Sequence, residues 1–434
     1  MTHDILSNLR PTEEIPMSKI GVGVIGASPL RPGWAVTAHL PALLALSEYE
    51  LRAVATSSEA SAKAAGEAYG VPAYADPAAM IARADIDLVV VTVKLAHHHT
   101  LVAEAIAAGK MVMCEWPLGV DFEQTADLAK QVALAGVGNL IGLQARMAPS
   151  IRYARDLVIQ GYVGEVLSTT MVASGIAWTS VSDSAHAYMF DATKNATLLS
   201  VPTMHALDAL QFVVGDLADI RSASAVRRSA VRLADTNEEI RSTAPDHLAI
   251  AAVLESGAVA SIFYRGGVSR GDNFRWEING SKGDLVLTSP LGNLQVLAPT
   301  LLGGQDEDTS VAPLAIPPEY DLASDAPEGP AANVARLYAA FAADLRNGTP
   351  GQTAPDFAHA LRLHRTLDLI SAAAASGIAR FSCARANTRE QLRGETYASG
   401  SSTSLRRIPP AANNSSMSYP SSSRAGNRPR RCCA

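Results

Sequence analysis

The stretch IGVGVIGASPLRPGWAVTAHLPALLAL, residues 20–46, decides the fold. Ile20, Val22, Val24 and Ile25, broken only by glycines, read as a buried parallel strand. Gly21, Gly23 and Gly26 have the spacing by which backbone approaches a pyrophosphate at a helix N-terminus, where the helix dipole favours negative charge. Ser28 stands where a second turn glycine is expected, and Pro29–Gly33 lengthen the turn before a helix predicted over Trp34–Leu46. Gly23, Gly26, Ala27 and Ser28, with the amides of Gly33, Trp34 and Ala35, are the expected phosphate contacts.

Outward from this stretch, strands and helices alternate. Strands are predicted at Leu51–Ala55, Leu88–Val93, Met111–Cys114 and Asn139–Leu143, with helices at Ser58–Tyr69, Pro77–Arg83, Thr100–Ala108 and Phe122–Ala135. Repeated βα units with short links imply a doubly wound parallel sheet over residues 19–150. After Ser150 the pattern changes. A helix at Ile151–Gln160 and a strand at Glu165–Ser174 precede a helix at Pro202–Val214. Hairpins then follow around Glu255–Ala258 and Asn279–Gly283. The fold class is α/β: an N-terminal Rossmann domain, then an α+β domain over 151–330 with an open-faced, mostly antiparallel sheet. Helices over residues 331–385 are expected to pack back on the body. Residues 1–18 read as a flexible leader and 386–434 as a disordered basic tail.

Composition excludes several classes. The chain has 434 residues, 48% hydrophobic and 18% charged, and a net charge of −6. Six arginines and no acid follow Glu395, so the body is more acidic than the whole, which argues against nucleic acid as partner. Four cysteines without metal-ligand spacing suggest neither a disulfide framework nor a metal centre. The adjacent His97, His98 and His99 diverge on a helix and do not read as metal ligands. No apolar run is long enough to span a membrane. A cytoplasmic enzyme is expected.

Several segments, taken in order, resemble the glucose–fructose oxidoreductase/inositol dehydrogenase/rhizopine-catabolism family. They are Gly23–Gly26, His39–Leu43, His98 before Ala108–Lys110, Cys114–Leu118, Arg146 with Pro149, Gly161–Glu165, His205–Asp208 and Asn279–Asp284. The resemblance implies hydride transfer between a nicotinamide and a sugar or polyol carbon, in homodimers or higher homo-oligomers. Typical members carry a lysine where Trp116 stands here, and an aspartate where Val201 stands; only the histidine, His205, remains. These departures, with Gly33–Ala35, Val93–His98 and Pro245–Leu248, resemble the branch of the yeast galactose-pathway repressor. That branch implies an alternative: a catalytically silent, dinucleotide-binding regulator with a protein partner.

On these grounds His205 is the expected acid/base on an exposed helical turn, with Asp208 one turn on to orient it. Lys94 is a second catalytic candidate or an anchor for a substrate anion. Glu115 occupies the position that in the family contacts the nicotinamide ribose. Trp116, Val93 and His98 are expected at the cofactor cleft, and Trp34 beside the turn. Gln144 and Arg146, at a strand's C-terminal end, and Trp178 and Tyr188, in a polar loop, are expected to bind substrate. Strand two ends in Thr56-Ser57-Ser58 without an acid for the ribose diol, which favours NADP over NAD.

Overall fold

A computed structural model describes residues 19–376; the expected leader at 1–18 and tail at 386–434 lie outside the described residues. The first sheet consists of β1 (Ile20–Ile25), β2 (Tyr49–Ala55), β3 (Ala73–Tyr74), β4 (Leu88–Val91), β5 (Met111–Glu115) and β6 (Asn139–Gly142). These six strands are parallel, in the order β3-β2-β1-β4-β5-β6. That is the doubly wound Rossmann order, and its direction reverses between β1 and β4. A crevice therefore opens beyond the strand C-termini there. β1 and β4 are buried throughout, which is why they read as continuous apolar runs.

The crossovers are α1 (Leu40–Leu44), α2 (Glu59–Tyr69), α3 (Pro77–Ile81), α4 (His98–Ala107) and α5 (Phe122–Ala135). α1 is entered through a widened helical turn over Ala35–His39, shorter than the predicted Trp34–Leu46. Ser58, Asp76 and Asp121 cap α2, α3 and α5 with their side chains, each such cap being worth about 1 kcal/mol.

Gly23 lies inside β1 and not in the turn, so it does not reach the phosphate site the sequence suggested. Gly26 does form the turn, at φ +104°, and a Cβ there would stand 2.5 Å from the Thr92 carbonyl oxygen. Gly26→Ala is accordingly expected to lower stability by about 1–3 kcal/mol. Urea unfolding measures this, and a dinucleotide titration of the variant should show weakened binding.

The second domain begins with α6 (Pro149–Ile159) and β7 (Val166–Gly175). A small sheet joins β8 (Val181–Ser182), β10 (Ala230–Leu233) and β11 (Glu239–Arg241), and α7 spans Met204–Val214. The main sheet adds β9 (Leu217–Ala225), β12 (His247–Leu254), β13 (Val259–Gly266), β14 (Phe274–Gly280), β15 (Gly283–Ser289), β16 (Thr300–Gln305) and β17 (Ala312–Pro313). It has eight strands in the order β17-β16-β15-β14-β7-β13-β12-β9 and is antiparallel except where β13 pairs with β7. β12 and β13 alternate buried and more exposed residues, so one sheet face is covered and the other open. α8 (Pro330–Asn347) returns to α1, and α9 (Phe357–Ala375) packs on α5 and β9.

Candidate active site

A cleft of about 250 Å³ lies at the C-terminal ends of β4 and β5, between the Rossmann sheet and the second domain. Trp34, Lys94, Glu115, Trp116 and Gln144 line it from the Rossmann side. Tyr188, Val201, His205 and Gln295 line it from the other.

Glu115 ends β5 and is held from behind. The fully buried His39 bonds Glu115 Oε1 through Nε2 at 3.0 Å, and its Nδ1 lies 2.8 Å from the Tyr338 hydroxyl. Burial pushes the Tyr338 phenol well above its ordinary range, so the hydroxyl keeps its proton. A carboxylate only accepts, so Nε2 of His39 donates its N–H to Glu115. Gly142 allows this close packing, since a Cβ there would clash with Glu115 Oε1.

Trp116 is 4% exposed, and its indole N–H donates to the Ser200 carbonyl at 2.7 Å. It forms an apolar wall where the family resemblance calls for a lysine. The widened turn over Leu199–Thr203, which leads into α7, brings Val201 into the cleft beside it. His98 is buried, with Nδ1 2.8 Å from the Pro117 carbonyl and Nε2 3.0 Å from the Val93 carbonyl, tying together two loops of the cleft floor. Burial holds its imidazole below the ordinary value. Lys94 is exposed at the rim, with Nζ 5.0 Å from the centre of the Tyr188 ring.

His205 is 2% exposed, a correction to its expected place on an exposed turn. Desolvation pushes its imidazole down to about 4, against the opposing pull of Glu115 and Asp208. It is therefore neutral near pH 7. Asp208 does not orient it. The Asp208 carboxylate is fully buried in a bidentate pair with Arg146, with Nε at 2.7 Å, and it also meets His359 Nε2 at 2.6 Å. Burial is the largest single influence on Asp208 and pushes it up, but Arg146 and His359 together outweigh this and hold it at about 2. Both Arg146 and Asp208 are committed to this pair behind the cleft and do not face a substrate. Attraction from a guanidinium brought in by the chain after β6 outcompetes the neighbouring imidazole one helical turn away.

Trp178 also stands elsewhere. It is 4% exposed and packs against Gly175 and Gly266, because its large apolar surface sinks below the polar loop that carries it. Thr56, Ser57 and Ser28 lie at the far end of the crevice, beyond β1 and β2. Ser28 accepts a 2.7 Å hydrogen bond from the Ser61 hydroxyl there, and Thr56 donates to the Ser58 carbonyl at 3.3 Å. The Ser28, Val36 and Thr37 amides already bond within the turn, to the Gly26 carbonyl and twice to that of Gly33.

Five buried polar atoms of the cleft-lining residues have no hydrogen-bond partner: Trp34 Nε1, both amide atoms of Gln144, His205 Nδ1 and Gln295 Oε1. Leaving a buried donor or acceptor unpaired costs about 1–3 kcal/mol. Their convergence on one cleft, next to a positive-φ glycine turn at a strand end, fits a dinucleotide with a small polar molecule beside it. Gln295 was not legible in the sequence; it follows β15 in a loop with no motif around it. Among the described residues no cluster of His, Cys, Asp or Glu could hold a metal ion, and no helix is long and apolar enough to cross a membrane.

Two family models match the two domains in turn. A model described as an oxidoreductase family with an NAD-binding Rossmann fold matches residues 20–142. The model of the Gal80p C-terminal domain matches residues 149–289. Dehydrogenase aclE of Aspergillus oryzae is 27% identical over 265 residues, 59% of this chain and 72% of that protein. The galactose/lactose metabolism regulatory protein GAL80 of Saccharomyces cerevisiae is 25% identical over 302 residues, 64% of this chain and 68% of that protein. A super-repressor mutant of that Gal80p superposes with a TM-score of 0.74 at 22% identity, covering 83% of this chain and 97% of the other. Levoglucosan dehydrogenase in complex with NADH and L-sorbose gives 0.71 at 18%, covering 83% and 98%.

Proposed function

We propose that this member of the glucose–fructose oxidoreductase/inositol dehydrogenase/rhizopine-catabolism oxidoreductase family, with a second domain of the Gal80p type, is an NAD(P)-dependent oxidoreductase. Its substrate is a sugar or polyol, and His205 handles the proton. The observation that carries this reading is the set of unpartnered buried polar atoms of Trp34, Gln144, His205 and Gln295 around one cleft. Hydroxyl-rich molecules pair such groups because each hydroxyl both donates and accepts.

The nicotinamide, when bound, supplies the hydride chemistry. Neutral His205 takes the substrate hydroxyl proton on oxidation and returns it on reduction, and the nearby Glu115 stabilises the imidazolium that forms. Glu115, braced by His39 and Tyr338, takes up ribose hydroxyls. Trp116 offers a flat face against which the carbon skeleton stacks. Lys94 and Tyr188 border the mouth of the cleft, where Lys94 assists His205 or anchors an anionic group. NADP is favoured over NAD, because β2 is followed by Thr56, Ser57 and Ser58 and no acid opposes a 2′-phosphate. Homo-oligomeric assembly in the cytoplasm belongs to the same reading.

A second reading, a dinucleotide-binding regulator without turnover, is favoured by Trp116 and Val201 at the positions of the family's lysine and aspartate. Titration of the Trp116 and Trp34 fluorescence with NADPH and NADH, followed by neutral sugars and polyols, tests the enzyme reading. A saturable change with dinucleotide and a further change with a polyol are expected. A protein blind to both dinucleotides would contradict both readings.

A further inference from the structure

Gln144 is the most deeply buried of the unpartnered groups: the residue has no exposed surface, and neither its amide oxygen nor its amide nitrogen has a hydrogen-bond partner. It follows β6 by two residues, in a tight turn over Gln144–Met147 fixed to the Rossmann sheet. The strand it follows carries Gly142, against which the Glu115 carboxylate packs. Three of the other cleft groups named for a sugar, Tyr188, His205 and Gln295, come instead from the second domain.

We propose that Gln144 is the nicotinamide reader, its side-chain amide forming a two-bond ring with the carboxamide of the bound dinucleotide. This rests on the dinucleotide-binding reading above and moves Gln144 from the substrate to the cofactor. The chemistry is complementary. A primary amide presents one acceptor and one in-plane donor side by side, and another primary amide presents the same pair reversed. A carboxylate at this position would lack the donor, and a leucine or methionine both. The carboxamide is the group at the nicotinamide end of the cofactor with that paired arrangement. Holding it fixes the rotation of the ring, and with it the face turned towards the second domain and His205.

The test compares dinucleotides that differ only in the carboxamide, by isothermal titration calorimetry of the full chain. The probes are NAD or NADP, whichever binds more tightly, its 3-acetylpyridine analogue, which replaces the amide nitrogen by a methyl group, and ADP-ribose, which lacks the ring. Wild type should prefer the natural dinucleotide over the analogue by about tenfold, the size expected when one buried hydrogen bond is lost and its acceptor, Gln144 Oε1, is left unmatched. Gln144→Met should reduce that preference to about one and leave ADP-ribose affinity unchanged. An unchanged preference in the variant would overturn the proposal, as would a parallel loss of ADP-ribose binding, which would mark Gln144 as structural. Wild type that binds ADP-ribose and dinucleotide equally, with no preference between ring substituents, would also overturn it while leaving dinucleotide binding intact. Failure of wild type to bind any of the three would instead remove the reading on which it rests.

Discussion

Replacing His205 with glutamine is expected to lower kcat on the preferred sugar or polyol by about 10²–10⁴-fold, the range for loss of a positioned general acid–base. Dinucleotide affinity should barely move. Glutamine keeps most of the volume and polarity of the site, so collapse of the cleft does not confound the result. The same histidine sets the pH dependence. Its imidazole is held at about 4 in the folded protein, against an ordinary 6.5. The group is thus already deprotonated across the physiological range. The kcat/KM profile of wild type should lack an inflection near 6.5 and fall only as pH approaches 4.

Stability follows with the same sign. The unfolded imidazole takes up its proton near 6.5 and the folded one only near 4, so the native state is favoured in full above 6.5 and loses ground as pH falls through that window. His98 and His364, both shifted down by burial, act in the same direction. Urea midpoints from pH 7 to 4 measure the slope, and His205→Gln should flatten it. A slope identical in wild type and variant would contradict the assignment.

Asp208→Ala should destabilise the protein by about 3–5 kcal/mol, because it leaves the Arg146 guanidinium buried without its counter-charge. The loss is large because Asp208 ties three parts of the chain together. Arg146 follows β6, Asp208 sits on the helix that carries His205, and His359 lies in the first turn of α9. Arg146 further stacks 4.9 Å over the Phe212 ring, so neither charge can easily turn to water. A double replacement, Asp208→Leu with Arg146→Met, should recover much of the loss, since no charge then remains unpaired. Urea denaturation of the single and double variants measures this. A single variant within 1 kcal/mol of wild type would mean that the pair is dispensable.

Much of this architecture was written in local pattern. The apolar run of β1, the glycine turn at Gly26 and the alternation of strands with helices announced the Rossmann half, because burial on both faces and a tight turn leave marks within a few residues. β9 and β16 were harder to find. β9, at a sheet edge, carries mostly exposed residues and none that is buried, and β16 contains two glycines, so neither shows a strong period. The cleft itself was half legible. Glu115, Trp116 and His205 stood out in the sequence and do line it. The bracing of Glu115 was not, because His39 and Tyr338 lie 299 positions apart and no local pattern pairs them. Arg146 and Asp208 were recognised as polar groups near the site, but sequence proximity suggested the wrong partner for Asp208. Charge neutralisation in a buried setting decided that contact over helical spacing.

The central claim is that this cleft transfers hydride although tryptophan occupies the lysine position. It is tested most directly by absorbance at 340 nm, with purified protein, NADP or NAD, and a panel of neutral sugars and polyols, run beside His205→Gln. The account predicts that at least one member reduces the dinucleotide in wild type, and that the variant loses this rate while still binding the cofactor. Tight dinucleotide binding with no absorbance change for any member, in either direction of reaction, would contradict it and put the regulator reading in its place.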